Sequence, residues 1–298
     1  MTFKMITRLT DSIWIVHGLN NGRYPYSHSL YIKDGGVLVD AGADPGEIDR
    51  LREGEGIETV VMTHYHEDHF TYLSRLPDAQ VWASEADAPA FESLETLLAY
   101  ESAAGTEWEA QYRKLLTEKF HFAPRKIARG IVNGEELLFG KTRAIAIVAP
   151  GHSHGHLCLH FPDEEILFLA DYDLTAFGPW YGDARSGIEE LRRSVRRLAA
   201  IGARICVTSH EGPTYQGSIV EKAEAYLSNI DRREQALREF LRTPRTRAQI
   251  ISRRLVCGPE NDWWWLDYAE WSILSKHLDE MMLRGEASFE DGQYRMLT

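Results

Sequence analysis

The sequence predicts an α/β sandwich, and two features of the chain support this fold class. Short segments rich in β-branched and aromatic residues recur in both halves of residues 12–210, and helical segments lie between them. Alternation of this kind is typical of sheets packed face to face and covered by helices. The chain has 298 residues, which is enough to bury one large core and a smaller second one.

The strands expected in the first part of the chain contain β-branched or alternating residues and lie at 12–18, 29–42 (a hairpin), 57–64 and 79–84. The hairpin turns at the polar sequence Asp34-Gly35-Gly36. Residues 44–54 predict a helix, because Pro45 stands near the start of this segment and Gly54 near its end. These elements predict most of one sheet and a helix that covers it.

Residues 85–125 change character and predict a helical insertion. They contain few β-branched residues, and helical periodicity on both sides of Gly105 predicts two helices within 85–120. Strands return in the second half of the chain, at 142–150, 156–161, 165–171 and 203–210. A helix is expected between the last two of these strands, at 187–202.

The composition shifts near residue 229, where a second domain is expected. The segment 232–254 is rich in arginine, whereas most of the acidic excess of the chain lies in residues 1–230. The expected elements are helices at 231–241, 246–255 and 268–284, followed by a hairpin that turns at Asp291-Gly292. This order predicts a winged-helix-like domain at 229–298, after a catalytic domain at 1–228. The run Trp263-Trp264-Trp265 is expected to pack the small domain against the large one.

Composition and charge narrow the class of protein. Apolar residues make up 44% of the chain and charged residues 26%, as in a typical globular protein. A formal net charge of −12 gives no general attraction to polyanions. Cys158, Cys206 and Cys257 are far apart and odd in number, so we expect reduced thiols in a cytoplasmic protein. No apolar run predicts a signal peptide or a membrane-spanning segment.

The segment THYHEDHF, residues 63–70, is the strongest candidate site. His64 and His66 are two positions apart at the expected end of a buried strand, so their side chains should point the same way. Imidazole and carboxylate groups are ligands for zinc, and also for iron or manganese. Asp68 and His69 are adjacent in sequence and are poorly placed to join the same ion as the first two histidines. The motif therefore predicts two metals side by side.

Four further motifs complete a pattern that resembles the metallo-β-lactamase superfamily. Asp40 ends the strand in LVDAG, His152 follows the turn in PGHSHGH, Asp171 ends the strand in FLAD, and His210 lies in TSHEGP. Together with THYHEDH, these motifs follow the order of that family over about residues 12–215. The resemblance implies a four-layer αββα sandwich with the metal site at one edge of its sheets.

The resemblance also implies a role for each motif residue. The first metal would be held by His64, His66 and His152. The second would be held by Asp68, His69 and His210. Asp171 would bridge the two ions, and Asp40 would support the motif loop. A hydroxide shared by two divalent ions, expected to be zinc, would attack a carbonyl carbon or a phosphorus, while Asp68 orients it and passes its proton to the leaving group.

Several residues near the motifs have structural explanations. We expect His28 to be a structural or pocket-rim residue and His154 to lie in a loop at the mouth of the site. His156 and His160 share a strand face with Cys158, so alternation explains them without a metal. The aromatic residues beside the metal motifs could line the pocket or belong to the core; they are Tyr65, Tyr172, Trp180 and Tyr181.

The sequence differs from the motifs of particular branches of the family, and these differences limit the substrates to be expected. The chain after Asp171 reads YDLTAFGPWYGD and lacks the Gly-Cys-Gly-Arg-like turn of hydroxyacylglutathione hydrolases, which puts a glutathione thioester in doubt. The leading hypothesis is a dinuclear hydrolase of a small ester, thioester or lactone. The domain order is similar to the β-lactamase-like protein 2 group, which makes a single-strand endoribonuclease the alternative. A metal-binding regulatory module is a third hypothesis, and a homodimer is expected to be possible.

Overall fold

The computed structural model of the protein describes residues 5–258 and 263–297. Residues 1–4, part of the stretch in which no signal peptide is expected, lie outside them.

Within the described residues, the strands form sheets of seven, six and three strands. The first sheet contains, in spatial order, β1 (Ile6–Arg8), β2 (Ile13–Val16), β3 (Ser29–Ile32), β4 (Val37–Val39), β5 (Thr59–Val61), β6 (Gln80–Ser84) and β7 (Arg129–Ile131). Its strands pair antiparallel as far as β4 and parallel from there to β7.

The second sheet is built from the later part of the chain. Its strands are β8 (Glu136–Phe139), β9 (Thr142–Val148), β10 (Leu157–Phe161), β11 (Ile166–Ala170), β12 (Ile205–Thr208) and β13 (Thr214–Gln216). They lie in the reverse of chain order, from β13 at one edge to β8 at the other. All neighbours are antiparallel except β11 and β12, which are parallel and are joined by a helical crossover.

Helices cover both sheets. Those of the first 200 residues are α1 (Pro45–Gly54), α2 (Glu67–Phe70), α3 (Ala88–Glu92), α4 (Leu94–Tyr100), α5 (Glu109–Lys114) and α6 (Ile188–Ala199). The two helices expected at 85–120 are thus three short α-helices, and a π-helical turn at Leu115–Lys119 extends the third. Ser93 separates α3 from α4, because its side chain caps α4 by accepting from the Thr96 amide.

The sheets pack face to face around a central core, and the predicted sandwich is confirmed. Leu30 and Val39 of the first sheet lie in one buried cluster with Leu159 and Phe168 of the second. The outer face of the first sheet packs against α1 and the insertion, and the outer face of the second packs against α6. This gives four layers, with helices on both outer faces.

The C-terminal region continues from the sandwich through one long helix. It comprises α7 (Val220–Phe240), β14 (Arg245–Thr246), α8 (Arg247–Arg253), α9 (Trp264–Leu283), β15 (Ala287–Glu290) and β16 (Gln293–Met296). The expected domain boundary at 228–229 falls inside α7. Tyr226 in the first half of α7 packs on the second sheet, whereas Leu237 in the second half packs in the C-terminal core.

This C-terminal core also holds parts of α8, α9 and the terminal hairpin, and the three C-terminal strands lie in the order β14-β16-β15. The helices and the hairpin occur in the expected order, and the winged-helix assignment stays a prediction. Across the described parts of the chain, no helix is both long enough and apolar enough to cross a membrane.

Gly42 lies where the first sheet meets the metal-motif loop, and no larger residue fits there. A Cβ atom at this position would lie 1.9 Å from the Asp68 carbonyl oxygen and 2.1 Å from Ser27 Oγ. We therefore expect Gly42→Ala to lower the free energy of unfolding by about 1–3 kcal/mol, the usual cost of overpacking. Urea unfolding measures this change.

Gly54 provides the matched control, because a Cβ atom there would meet nothing within 4 Å. Gly54 ends α1, so Gly54→Ala should leave the stability unchanged or raise it slightly. Equal stabilities for the two variants would contradict the tight contact at Gly42.

Candidate metal centre

The predicted ligands lie at one edge of the two sheets, most of them in loops and two of them in a short helix. The sequence predicted His64 and His66 at the end of a strand. β5 ends at Val61, so both residues lie in the loop that follows it. Asp68 and His69 lie in the short helix α2. The remaining predicted ligands follow strands of the second sheet, His152 after β9, Asp171 after β11 and His210 after β12.

Three imidazole nitrogens of the first ligand set face one another. His64 Nε2 lies 3.0 Å from His66 Nδ1, and His152 Nε2 lies 3.2 Å and 2.9 Å from these two atoms. Asp171 Oδ2 is 3.7 Å from His64 Nε2 and 3.5 Å from His152 Nε2. One ligand atom from each of these four side chains therefore lies within 4.8 Å of the others.

The second set lies beside the first, and Asp171 touches both. Asp68, His69 and His210 bring one ligand atom each within 4.8 Å of one another. Asp171 Oδ1 is 2.9 Å from His69 Nε2, and Asp171 Oδ2 is 3.2 Å from His210 Nε2. Asp171 Oδ1 thus faces the second set, while Oδ2 lies near residues of both sets, so this carboxylate is placed to be shared between them.

Hydrogen bonds on the far side of each ring fix which nitrogen faces the centre. His69 donates from Nδ1 to Asp40 Oδ2 at 2.8 Å, and His210 donates from Nδ1 to the Gly22 carbonyl at 2.6 Å. His66 donates from Nε2 to Asp183 Oδ2 at 3.0 Å. In each case the opposite nitrogen is the one turned toward the centre, where a metal ligand is needed.

His64 is oriented through Thr63. The Thr63 hydroxyl donates to Asp40 Oδ2 at 2.8 Å, so it accepts from His64 Nδ1 at 2.9 Å and leaves Nε2 facing the centre. Burial lowers the pKa of His64 and His152 well below the usual range, so both rings stay neutral, which is the form that binds metals.

These residues fit a pair of divalent cations. His69 Nε2 and Asp171 Oδ1 are buried and make no hydrogen bond of acceptable geometry within the described chain. Neutral imidazole lone pairs that converge at about 3 Å repel one another unless a cation lies between them. Five histidines and two aspartates form a donor set of nitrogen and oxygen atoms, which suits zinc, iron or manganese.

Residues that support the ligands include several that sequence reasoning missed. Asp183 accepts hydrogen bonds from His66, from the Tyr65 hydroxyl at 2.6 Å and from the Trp180 indole at 2.7 Å. Asp87 holds the loop that carries His152, because it accepts from the Ser153 hydroxyl at 2.6 Å and the Gly155 amide at 2.8 Å. Burial raises the pKa of Asp87 to about 7.

The other histidines of the His152 motif differ in role. His154 is exposed and His160 is half-buried. His156 is fully buried, and its Nε2 accepts from the backbone amide of Asp171 at 3.2 Å. It therefore helps to place Asp171, a role that strand alternation alone did not suggest. His28 is structural, since it accepts from the Gly18 amide and donates to the Glu211 carbonyl.

A cavity of about 570 Å³ opens onto both ligand sets. Of the four aromatic residues beside the metal motifs, Trp180 lines this cavity. The other three are core residues with buried hydroxyls: Tyr65, Tyr172 and Tyr181. Trp265 from the C-terminal tryptophan run also lines the cavity, whereas Trp264 packs against Tyr112 of the insertion.

A four-layer sandwich with histidines and aspartates converging at one sheet edge defines a class of metal-dependent hydrolases. The sequence profile of the metallo-beta-lactamase superfamily matches residues 23–210 of this chain. The chain belongs to this superfamily.

Two solved structures share the fold over nearly the whole chain. A metallo-beta-lactamase family protein from Thermus thermophilus is 22% identical, with a TM-score of 0.74 that covers 97% of this chain and 100% of that one. A beta-lactamase domain protein from Burkholderia ambifaria is 17% identical, with a TM-score of 0.71 over 98% of this chain and 93% of that one. The C-terminal region is therefore part of the shared fold.

Curated relatives match shorter stretches. An atrochrysone carboxyl ACP thioesterase from Aspergillus fumigatus is 28% identical over 41% of this chain and 36% of its own length. A hydroxyacylglutathione hydrolase from Rhizobium johnstonii is 28% identical over 40% of this chain and 35% of its own length. The chain thus spans about a third of the length of these two relatives. A hydroxyacylglutathione hydrolase from Cereibacter sphaeroides is 26% identical over 62% of each chain.

Replacing Asp183 by asparagine tests its support of His66. Asp183 accepts three hydrogen bonds, from His66, Tyr65 and Trp180. The amide NH₂ group of asparagine can only donate, so it cannot replace the carboxylate oxygen that it substitutes. We expect the zinc affinity of Asp183→Asn to fall by about 10–100-fold, because His66 loses its fixed orientation. Competition with a chromophoric chelator measures this affinity.

Asp163→Asn is the matched control for this measurement. Asp163 is an exposed carboxylate that pairs with Arg143 at 2.9 Å, and it does not line the cavity. Its replacement makes the same change in charge and should leave the zinc affinity unaltered. Wild-type affinity in Asp183→Asn would show that His66 does not depend on this carboxylate.

Proposed function

We propose that the protein hydrolyses a small ester, thioester or lactone at a dinuclear metal centre. The observation that carries this proposal is that both ligand sets face one cavity of about 570 Å³ with aromatic walls. A cavity of this volume suits a small molecule. The walls come from three separate parts of the chain, which are represented by Tyr112, Trp180 and Trp265.

In this proposal, one cation is held by His64, His66 and His152. The other is held by Asp68, His69 and His210. Asp171 is shared between them. When bound, two divalent cations would polarise the substrate carbonyl. They would also lower the pKa of bound water, so that hydroxide is available at neutral pH. Zinc is the proposed metal, since the donor set is rich in imidazole.

Asp68 is the proposed proton carrier. Its carboxylate lines the cavity and lies between the second-set histidines, with Oδ1 at 3.8 Å from His69 Nε2 and Oδ2 at 3.5 Å from His210 Nε2. From this position it can accept a proton from the attacking water and deliver it to the leaving group. His69 and His210 are held by Asp40 and the Gly22 carbonyl, so they keep the carboxylate in place.

The arginines of segment 232–254 give little support to an RNA-binding groove. Most of these side chains have partners within the chain. Arg238 pairs with Glu234, Arg242 with Glu239, Arg247 with Glu107 and Arg254 with Asp267. Arg233 is buried and donates to the carbonyls of Phe177 and Pro179. Paired arginines attract phosphates less than free ones do, which favours a small substrate over the endoribonuclease alternative.

The names of the curated relatives favour a thioester among the acyl substrates. One is a thioesterase and others are hydroxyacylglutathione hydrolases. A thioester carbonyl is attacked in the same way as that of an ester or lactone, so the three substrate types belong to one reaction class. A thioester is therefore the first substrate to assay.

Activity on a panel of substrates tests the proposal. Protein reconstituted with zinc is assayed on a thioester, a lactone, a generic phosphodiester and single-stranded RNA. We expect turnover of the thioester or the lactone. Asp171→Ala should lower it by about 10³-fold or more, because several kcal/mol of barrier lowering depend on the paired cations. Removal of the metal with a chelator should abolish it, and added zinc should restore it.

His152→Ala and His154→Ala form a matched pair within one motif. The first removes a proposed ligand, and the second removes an exposed ring two positions away. We expect His152→Ala to lose activity and His154→Ala to keep it. RNA cleavage that is lost in Asp171→Ala, without turnover of any acyl substrate, would instead support the endoribonuclease.

A further inference from the structure

The cavity contains two buried glutamates that the proposed reaction does not use. Glu67 and Glu101 both line it and are 3% and 1% exposed. Glu67 accepts from the Tyr24 hydroxyl at 2.6 Å and from the Tyr112 hydroxyl at 3.1 Å. Glu101 Oε1 is buried and has no hydrogen-bond partner within the described chain. A buried carboxyl oxygen without a partner, at the wall of a cavity, is a candidate contact for a group that enters the cavity.

Positive charge from the protein is scarce around these carboxylates. Among the described residues that line the cavity, Arg23 is the one arginine and there is no lysine. Arg23 lies on the exposed rim, where its Nε is 3.6 Å from Glu211. The ion-pair contact of Glu101 is with His66, 4.0 Å from Glu101 Oε2, and that ring already donates to Asp183. Among the described residues, no lysine or arginine of the cavity wall therefore pairs with the two glutamates.

Aromatic rings form the wall beside the glutamates. Tyr24 stacks on Trp265 with ring centroids 5.0 Å apart and an interplanar angle of 24°, and Trp180 stacks on Trp265 at 5.9 Å and 20°. All three residues line the cavity. The faces of tyrosine and tryptophan rings attract organic cations, and a nearby carboxylate strengthens this attraction.

We propose that this end of the cavity binds an organic ammonium group, so that the substrate is a cationic ester or thioester. The proposal rests on the proposed acyl hydrolysis and names its substrate class. The carbonyl of the substrate would lie at the metal ligands, and its ammonium group would lie between Glu101, Glu67 and the aromatic wall. Substrates with a net negative charge, such as a glutathione thioester or RNA, would be disfavoured at this wall.

The residues of this ammonium site come from distant parts of the chain. Glu67 occupies the variable position between His66 and Asp68 of the metal motif, and Glu101 follows α4 of the insertion. The Tyr268 hydroxyl of α9 donates to the Glu101 carbonyl and holds this residue at the wall. The insertion and the C-terminal region thus supply the charge and the rings that recognise the substrate.

A pair of substrates with the same shape and different charge tests the proposal. Acetylthiocholine carries a trimethylammonium group, and S-(3,3-dimethylbutyl) thioacetate has a carbon atom in place of that nitrogen. On the zinc-loaded full chain, we expect kcat/KM to be at least about tenfold higher for the cationic thioester. Glu101→Gln should remove most of this preference and leave kcat/KM for the neutral thioester close to that of the wild type.

Glu118→Gln is the control variant, because it makes the same change in net charge within the same insertion. Glu118 is exposed, and it pairs with Lys114 at 3.7 Å. This variant should keep the wild-type preference for the cationic thioester. Zinc content is measured for every variant. Glu101→Gln could instead lose zinc and lose activity on both substrates equally. This result would show that Glu101 supports the metal, and it would overturn the proposal.

Binding of tetramethylammonium separates this proposal from the proposed reaction. If neither thioester is turned over, the thioesterase hypothesis fails, and calorimetric titration with tetramethylammonium still tests the ammonium site. Binding to the zinc-loaded wild type that weakens by about tenfold in Glu101→Gln supports the site. The absence of binding, or equal binding to both proteins, overturns it. Equal kcat/KM for the two thioesters would overturn it while leaving the hydrolase function intact.

Discussion

The carboxylate of Asp40 connects both ligand sets to the first sheet, and the metal centre depends on it. Its Oδ1 accepts from the Thr63 amide, and its Oδ2 accepts from the Thr63 hydroxyl and from His69 Nδ1, each at 2.8 Å. The Asp40 backbone lies in the left-handed region at a φ of 61°, which costs on the order of 1 kcal/mol or more. These hydrogen bonds hold it there. Because Thr63 in turn orients His64, a single buried carboxylate sets the tautomer of one histidine in each ligand set.

The residues that face the metal centre could be predicted from the sequence, because they lie in short motifs directly after strands. The residues that support and close the site could not. Asp183 is 117 positions from His66 and lies in an irregular loop, and Glu101 follows a short helix far from every metal motif. Periodicity and local spacing carry no information about such pairs. Their burial is a property of the folded chain, and a carboxylate in a polar loop gives no sign of it in the sequence.

Fold prediction succeeded for the strands in the interior of the two large sheets, which are buried and rich in apolar residues. The strands that were missed include β1, β7 and β13, which have three residues each and lie at sheet edges. Helix α7 was expected to begin at 231 because the composition changes there, but it begins at Val220. Its first half buries Ala223, Tyr226 and Leu227, which lie three and four positions apart on one face. A change in composition therefore marked a change in what the helix packs against, and not the start of a helix.

The insertion and the C-terminal region contact each other, and both contribute residues to the cavity wall. Arg247 pairs with Glu107, and the Tyr268 hydroxyl donates to the Glu101 carbonyl, so the two segments hold each other in place. In the proposed function, the metal loops carry the reaction, and these covering segments select the molecules that approach it. The charge pattern of the sequence does not predict the charge of the residues that line the cavity. The arginines of segment 232–254 are largely paired within the chain, and the cavity itself presents Glu67 and Glu101 to what enters. The wall of the cavity therefore contains acidic and aromatic side chains, although the most conspicuous charged segment of the chain is basic.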